Sequence, residues 1–268
     1  MDDIIPKDLL SHESKLEIAK IVAGEGLTRF RNPAMVWSAG KDSTVMLHIT
    51  KVVCENLNRK LPPSIFIDHG DHYAETLKMI DEVSEDWNFK VIFAKNEDFL
   101  NNVRDGYVSV DDLNEKNREE VRRIGFSGNR IPYSLETDVG NHLLKTVPMN
   151  DVIRTYRFDA LLVGVRRDEN KARSSESFVS RRDNPEHYRV HPVLTFSEKD
   201  IWDYTFLNKV PYHPLYSKGY RSIDGKNDSK KISDLPAWEQ DLEKTSERAG
   251  RAQDKENMME RLRKLGYM

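Results

Sequence analysis

Among 268 residues there is one cysteine, Cys54. An intramolecular disulfide is therefore excluded, and so is a cysteine-rich zinc or iron–sulfur site. No run of about 18 apolar residues occurs, which excludes a membrane-spanning helix. The first residues, Met1-Asp2-Asp3-Ile4-Ile5-Pro6, are acidic and lack a long apolar core, unlike a secretory signal. Neither sign of charge dominates, with 42 Lys plus Arg against 45 Asp plus Glu and a net charge of −3. That balance argues against a general nucleic-acid or membrane-surface binder, yet leaves room for a local basic pocket. Internal repeats and low-complexity segments are absent, as is the common phosphate loop G-x-x-x-x-G-K-[ST]. A cytoplasmic chain with one large α/β domain and an extension is expected.

What is present centres on residues 34–47. An apolar run ending at Trp37 reads as a buried strand, and Ser38-Ala39-Gly40 as a small-residue turn. A helix follows, with Val45, Met46, Ile49, Val52 and Val53 on one face. Strand, turn and helix start make an anion site, because the first-turn amides have no partner within the helix. Ser38, Ser43 and Thr44 add hydroxyls, and Lys41 adds a positive charge. An amphipathic helix is expected over residues 12–29. Further buried strands are expected over 64–67, 89–93 and 159–164, and a short fifth one over 188–193. Strands alternating with helices predict a doubly wound, mainly parallel, five-stranded sheet flanked by helices. Its ligands would bind beyond the carboxyl ends of the strands. The expected division is a nucleotide-binding domain over 1–215 and a C-terminal extension over 216–268. Residues 95–136 read as an inserted helical excursion, a lid or an interface. A helical pattern over 137–156 is kinked or divided by Pro148, residues 219–233 read as a polar, turn-rich stretch with a mobile loop at 226–231, and 239–265 as a charged helix.

Several clusters could carry chemistry. Asp68 ends a strand beside His69, Asp71 and His72, but this spacing fits no closed structural metal site. The preferred role for Asp68 is to orient a ribose hydroxyl or a magnesium ion that arrives with a nucleotide; no protein-held metal is expected. After the strand at 159–164 come Arg166 and Arg167, with Lys171 and Arg173 close behind. Arginine matches phosphate and sulfate geometry, and Asp168 and Glu169 could hold these side chains in place; a surface ion-pair cluster is the bland alternative. Arg181-Arg182 reads as a solvated pair in a polar loop. Cys54 sits on an apolar helix face, where an inert packed thiol is the usual outcome. His48 is expected to be a helix-face residue, and His191 and His213 precede prolines in ordinary turns.

Ser38-Ala39-Gly40-Lys41-Asp42-Ser43 resembles the S-G-G-x-D-S loop of the ATP-pyrophosphatases, which cut ATP between its α and β phosphates. Phe66-Ile67-Asp68-His69-Gly70 stands where that superfamily has a strand ending in D-T-G. Gly164-Val165-Arg166-Arg167-Asp168-Glu169 and the tail Thr245-Ser246-Glu247-Arg248-Ala249-Gly250-Arg251 resemble the G-x-R-R-D-E and T-S-E-R-x-G-R of one branch. That branch is the phosphoadenylylsulfate reductase and ATP sulfurylase small-subunit family. The resemblance spans roughly residues 12–268 and implies an adenine nucleotide α-hydrolase-like fold. It implies sulfate adenylyltransferase activity, with ATP and its magnesium, sulfate as acceptor and a GTPase large subunit as partner; a homodimer stays open. Lys41, Arg166 and Arg167 would be catalytic. Ser38, Ala39, Gly40, Asp42, Ser43, Asp68 and Gly164 would bind ATP, and Arg248 and Arg251 would reach the oxyanion from the tail. Two departures stand out: Ala39 replaces the commoner glycine, and His69 replaces threonine. Residues 214–223 resemble the reductases more closely, yet no cysteine follows them, which argues against reductase chemistry. Adenylylation of another acceptor, sulfur transfer from external sulfide, and a nucleotide-binding subunit without turnover are the alternatives.

Overall fold

Four short segments, Pro33–Val36, Ser64–Asp68, Val91–Lys95 and Ala160–Val163, are built mostly from apolar residues. Segments of this kind are stable as strands only when layers cover both their faces. The computed structural model describes residues 10–169, 173–245 and 247. In chain order it forms α1 (His12–Thr28), β1 (Pro33–Val36), α2 (Lys41–Asn56), β2 (Ser64–Asp68), α3 (Ala74–Asp86) and β3 (Val91–Lys95). Then come α4 (Glu97–Asn101), β4 (Tyr107–Ser109), α5 (Glu115–Arg123), β5 (Arg130–Pro132), α6 (Asp138–Asn141) and α7 (Val147–Tyr156). The remainder is β6 (Ala160–Val163), β7 (Val179–Asp183), β8 (Glu186–Val190) and α8 (Glu198–Leu207).

The main sheet has the order β3-β2-β1-β6-β8-β7, parallel except for β7. One face is covered by α1 and α2, whose Ala23, Leu27, Met46 and Ile49 join Met35, Phe66 and Leu162 in a buried core. On the other face Met149, Val152 and Ile153 of α7 cover Ala34, Ile65, Ile92 and Leu161. Helix α1 starts at Ser11, whose hydroxyl accepts from the Ser14 amide at 3.1 Å. Helix α8 starts with a reciprocal capping box between Ser197 and Asp200. Asp200 also receives Lys15 at 2.6 Å and His12 at 3.0 Å, so α1 and α8 are pinned together.

The structure corrects several expectations. The sheet has six strands rather than five, because the polar run at 179–183 pairs antiparallel with β8 as an edge strand. There Arg182 binds Glu176 at 3.1 Å and Arg181 binds Glu186 at 2.9 Å, so neither belongs to a loop. An edge strand needs no apolar alternation, and this one carried no strand signal. Residues 95–136 are not helical throughout. They include the antiparallel ribbon β4–β5 and a separate core of Phe99, Val108, Val121 and Ile131 with Leu143 and Leu144. The helical pattern at 137–156 is broken by a π turn, His142–Thr146, and Pro148 lies in the first turn of α7, where its missing amide hydrogen costs little. The segment at 219–233 is docked: Asp71 accepts from the amides of Lys226 at 3.0 Å and Asn227 at 2.9 Å. Glu239 closes a short 3₁₀ turn, Ala237–Glu239, and within 240–245 the chain forms bends and turns rather than a helix. Apart from Glu247, the rest of the expected tail helix lies outside the described residues, as do Lys171, Arg248 and Arg251.

His213 starts the short 3₁₀ turn Pro214–Lys218. Its Nδ1 accepts from the Leu215 amide at 3.2 Å, so in the neutral ring Nε2 donates to Thr76 Oγ1 at 2.9 Å. Burial pushes its pKa from 6.5 down to about 4, as it does for His187 and His191. The unfolded chain takes up these protons near 6.5 and the folded chain resists them until about 4. Stability from this source is complete above the unfolded value and is lost as pH falls through that window. The melting temperature is therefore expected to drop between pH 6.5 and 4, and His213→Gln to flatten part of the slope. Thermal melts across that range check this, and a flat profile for the native chain would contradict it.

Candidate active site

Strand order reverses between β1 and β6, the place where a doubly wound sheet opens a crevice at its carboxyl edge. The two strands are in register, with Val36 opposite Val163. Their exits therefore leave side by side. From β1 the chain passes through Ser38-Ala39-Gly40 into α2; from β6 it passes through Gly164 toward Arg166. A Cβ on Gly164 would lie 2.7 Å from the Ser43 nitrogen and 2.8 Å from the Asp42 carbonyl carbon. Only glycine permits that approach. Ala39 adopts φ 57°, in the left-handed region that glycine enters without strain.

The turn is shaped by its own small side chains. Ser38 Oγ lies 3.2 Å from Ser43 Oγ, the Ser38 amide donates to Ser43 Oγ at 3.3 Å, and Ser43 donates to the Gly40 carbonyl at 3.0 Å. Trp37, fully buried, donates its indole N–H to Thr44 Oγ1 at 2.9 Å and anchors the first turn of α2. Gly40 offers no side chain to cap the helix. Instead the Lys41 amide donates to the Tyr216 hydroxyl at 3.0 Å.

This turn borders a cavity of about 270 Å³. Its apolar wall is Val36, Phe66, Ile67, Met149 and Val163, and Ser222, Ile223 and Asp224 line it from the docked segment. Lys145, Arg173 and Arg189 bring positive charge to it. Lys145 comes from the π turn, whose extra residue in the ring is a device often found at functional sites. Lys145 donates to both oxygens of Asp224, at 2.8 and 2.6 Å. Arg173 is paired with Glu169. His69 and His72 also line the cavity, with ring centroids 3.8 Å apart. Burial lowers the pKa of His69, which favours the neutral ring.

Beneath the turn lies a buried ion network. Lys41 contacts Asp42 at 3.3 Å, Glu198 at 3.8 Å and Glu247 at 2.5 Å. The Arg166 guanidinium is spread over Asp42, Asp168 at 2.9 Å and Glu247 at 2.7 Å. Arg221 binds Glu198 at 2.8 Å and donates to the carbonyls of Asp241 and Leu242. Burial opposes the charge on Lys41 and Arg166, but the surrounding carboxylates overrule it and raise both pKa values. Glu247 is held well below the usual carboxylate range: burial would raise it, and Lys41 and Arg166 outweigh burial. Glu198 goes the other way, raised by burial and by the nearby Glu247.

Of the residues singled out in the sequence, Ser38, Gly40, Lys41, Asp42, Ser43 and Gly164 line the cavity. Ala39 is buried within the turn, and Arg166 is 1% exposed behind it. Arg167 turns away: it donates to the Glu176 carbonyl at 2.9 and 3.1 Å and lies over Phe178. Asp68 does not line the cavity. It accepts from the Gly70 amide at 3.0 Å and faces His72 at 3.3 Å, and the His72 hydrogen bond chiefly lowers its pKa to about 2. Arg248 and Arg251 lie outside the described residues. Sequence reasoning did not find Lys145, Arg189, Tyr216, Glu198 or Glu247 as site residues. Tyr216 and Glu247 stand within stretches already noted for their resemblance, at 214–223 and 245–251, which was the available signal, and Arg189 lies in the expected strand at 188–193; Lys145 carried none. Among the described residues, no three His, Cys, Asp or Glu side chains are grouped to hold a metal ion.

The family profile described as the phosphoadenosine phosphosulfate reductase domain matches residues 32–231. The chain belongs to that family. Within it, relatives named sulfate adenylyltransferase subunit 2 include one from Aliarcobacter butzleri, 27% identical over 245 residues, covering 82% of this chain and 72% of that protein. Another, from Brucella ovis, is 29% identical over 238 residues, covering 80% and 70%. Among solved structures, a phosphoadenylyl-sulfate reductase from Candida auris superposes with a TM-score of 0.58 at 18% identity, covering 82% of this chain and 98% of that one. A Candida glabrata FMN adenylyltransferase gives 0.61 at 16% identity, covering 93% and 91%. These likenesses are of fold.

The turn generates two expectations. Ala39→Gly should stabilise the chain by about 1 kcal/mol, the usual cost of a left-handed L-residue, as measured by chemical denaturation. Gly164→Ala should reduce ATP binding at least about tenfold, the scale of a 1.4 kcal/mol loss, because its methyl must push the phosphate turn aside. ATP titration alongside circular dichroism checks this second outcome.

Proposed function

We propose that this chain is an adenylyltransferase that cleaves ATP between its α and β phosphates and passes the adenylyl group to sulfate. The observation that carries this reading is the turn at residues 38–43, which shares one cavity with Lys145, Arg173 and Arg189. The helix start at the turn suits a polyphosphate, and the additional cations suit a second oxyanion. The names of the relatives support sulfate as that oxyanion.

In this reading Ser38, Gly40, Lys41 and Ser43 hold the phosphates, and magnesium arrives with the nucleotide. The apolar wall of Val36, Phe66, Ile67 and Met149 takes the base. A sulfate oxygen attacks the α phosphorus, the bond from that phosphorus to the bridging oxygen breaks, and pyrophosphate leaves with the electron pair. Sulfate is a poor nucleophile, so the work is alignment and charge stabilisation, and no protein nucleophile is required. Arg166 stabilises the phosphate turn from behind through Asp42. Arg167 positions the loop at 173–178 that carries Arg173. Asp68 acts through His72 rather than on the nucleotide, and Arg248 and Arg251 are assigned to the oxyanion from the tail. A partner subunit is supported by the relatives' designation as subunit 2, and a GTPase is the partner that the motif resemblance implies.

A second reading keeps adenylyl transfer and changes the acceptor. It draws on residues 214–223, whose likeness is to the reductases and whose Ser222 and Ile223 line the cavity. Reduction of a sulfonucleotide finds no support in Cys54, which is 1% exposed within α2, with burial pushing its thiol up to about 11.

Pyrophosphate release from Mg-ATP, with and without sulfate or molybdate, is the test. Release is expected to depend on either anion. Arg189→Ala should raise the sulfate KM about tenfold, the worth of one charged hydrogen bond, with the far-ultraviolet spectrum unchanged. Anion-independent release would transfer the assignment to another acceptor.

A further inference from the structure

Glu247 sits oddly for a residue of the C-terminal segment. It is 8% exposed, and it spans the two most deeply buried cations of the phosphate turn. One carboxylate oxygen takes Lys41 Nζ at 2.5 Å and the other takes Arg166 Nη2 at 2.7 Å. Two oxygens on one centre, each meeting a different cation, is the geometry in which a phosphate is ordinarily held. Glu247 also lines the cavity.

The local charge count makes its presence costly. Within this network, among the described residues, Lys41, Arg166 and Arg221 face Asp42, Asp168, Glu198 and Glu247. Without Glu247 the cations and carboxylates match. With it the network holds one anion too many, and the pKa of Glu198, raised chiefly by burial, is raised further by Glu247. A carboxylate serving only to neutralise the network would not be needed, because Asp42, Asp168 and Glu198 already match Lys41, Arg166 and Arg221 in number.

We propose that the Glu247 carboxylate is a built-in stand-in for a substrate phosphate, filling the seat between Lys41 and Arg166 until pyrophosphate or the polyphosphate of ATP displaces it. The inference rests on the phosphate-binding reading above and adds the regulation of that seat. Arg221 supplies the anchor against which the exchange works. It holds the carbonyls of Asp241 and Leu242 and the hydroxyl of Thr245 at 2.5 Å, all just before Glu247 in the chain. The anchor stays bound to Glu198 while the carboxylate beyond it leaves. Because the seat is closed when the site is empty, neither cation of the turn is exposed to water or to stray anions.

The probe is inorganic pyrophosphate, titrated calorimetrically into the full chain and into Glu247→Gln, which keeps the shape and removes the charge. A carboxylate seated about nine-tenths of the time lowers the apparent affinity about tenfold, so Glu247→Gln should bind about tenfold more tightly. Hydrogen exchange on the native chain supplies a second measurement that needs no variant. Pyrophosphate should increase exchange in peptides ending at Glu247 while leaving those around Arg221 protected. Weaker or equal binding by Glu247→Gln, or greater protection near Glu247 on adding pyrophosphate, overturns the stand-in and leaves the phosphate site intact. Absence of pyrophosphate binding by both chains overturns the stand-in together with the phosphate reading.

Discussion

Two like charges, Lys41 and Arg166, are buried together, and neither could remain there without the carboxylates between them. Unpaired, each would meet a desolvation cost of several kcal/mol. Asp42 and Glu247 meet both cations, and from that shared contact the neighbouring elements take their places. Helix α2 begins there, β6 ends there, and α8 supplies Glu198 from its first turn. The turn at 214–218 adds Tyr216 above Lys41, and the C-terminal segment arrives through Arg221. A buried network of this kind is a weak source of net stability. Its effect is geometric: five parts of the chain, distant in sequence, are held to one arrangement at the carboxyl edge of the sheet.

That arrangement divides the labour inside the cavity. Arg166 stiffens the turn from behind, whereas Lys41, Lys145, Arg173 and Arg189 meet the cavity itself. The inserted residues 95–136 contribute nothing to its lining, but they support it. Tyr133 donates to the His69 carbonyl at 2.8 Å, and a Cβ on Gly70 would come 2.8 Å from the same hydroxyl. His69, standing where the resembling superfamily has threonine, thus keeps its ring in the cavity because a residue of the insertion holds its backbone.

Much of this was legible in the residues before any coordinates. Ala34, Met35, Ile65, Phe66, Leu161 and Leu162 form runs suited to a doubly covered sheet, and the small-residue turn at 38–40 borders the cavity. Gly164 was legible as part of a motif, and the close approach to Ser43 gives its physical reason. What escaped notice did so for definable causes. Strand β7 is polar because only one side of it pairs. The ribbon β4–β5 is three residues long on each side, too short for alternation to register. Lys145 owes its direction to a π turn, which has no signature in composition. Arg166 and Arg167 are adjacent and looked equivalent, yet successive side chains leave the backbone on different sides. One therefore joins the ion network, and the other braces a carbonyl.

The edge strand β7 has a consequence for assembly. Its Arg181 and Asp183 are largely exposed, at 58% and 87% of their side-chain surface. Charged side chains along an open edge discourage a foreign strand from adding to it. Growth of the sheet across a subunit boundary is thereby disfavoured at the β7 edge. The strand order, and the crevice that depends on it, is thereby closed to extension from that edge.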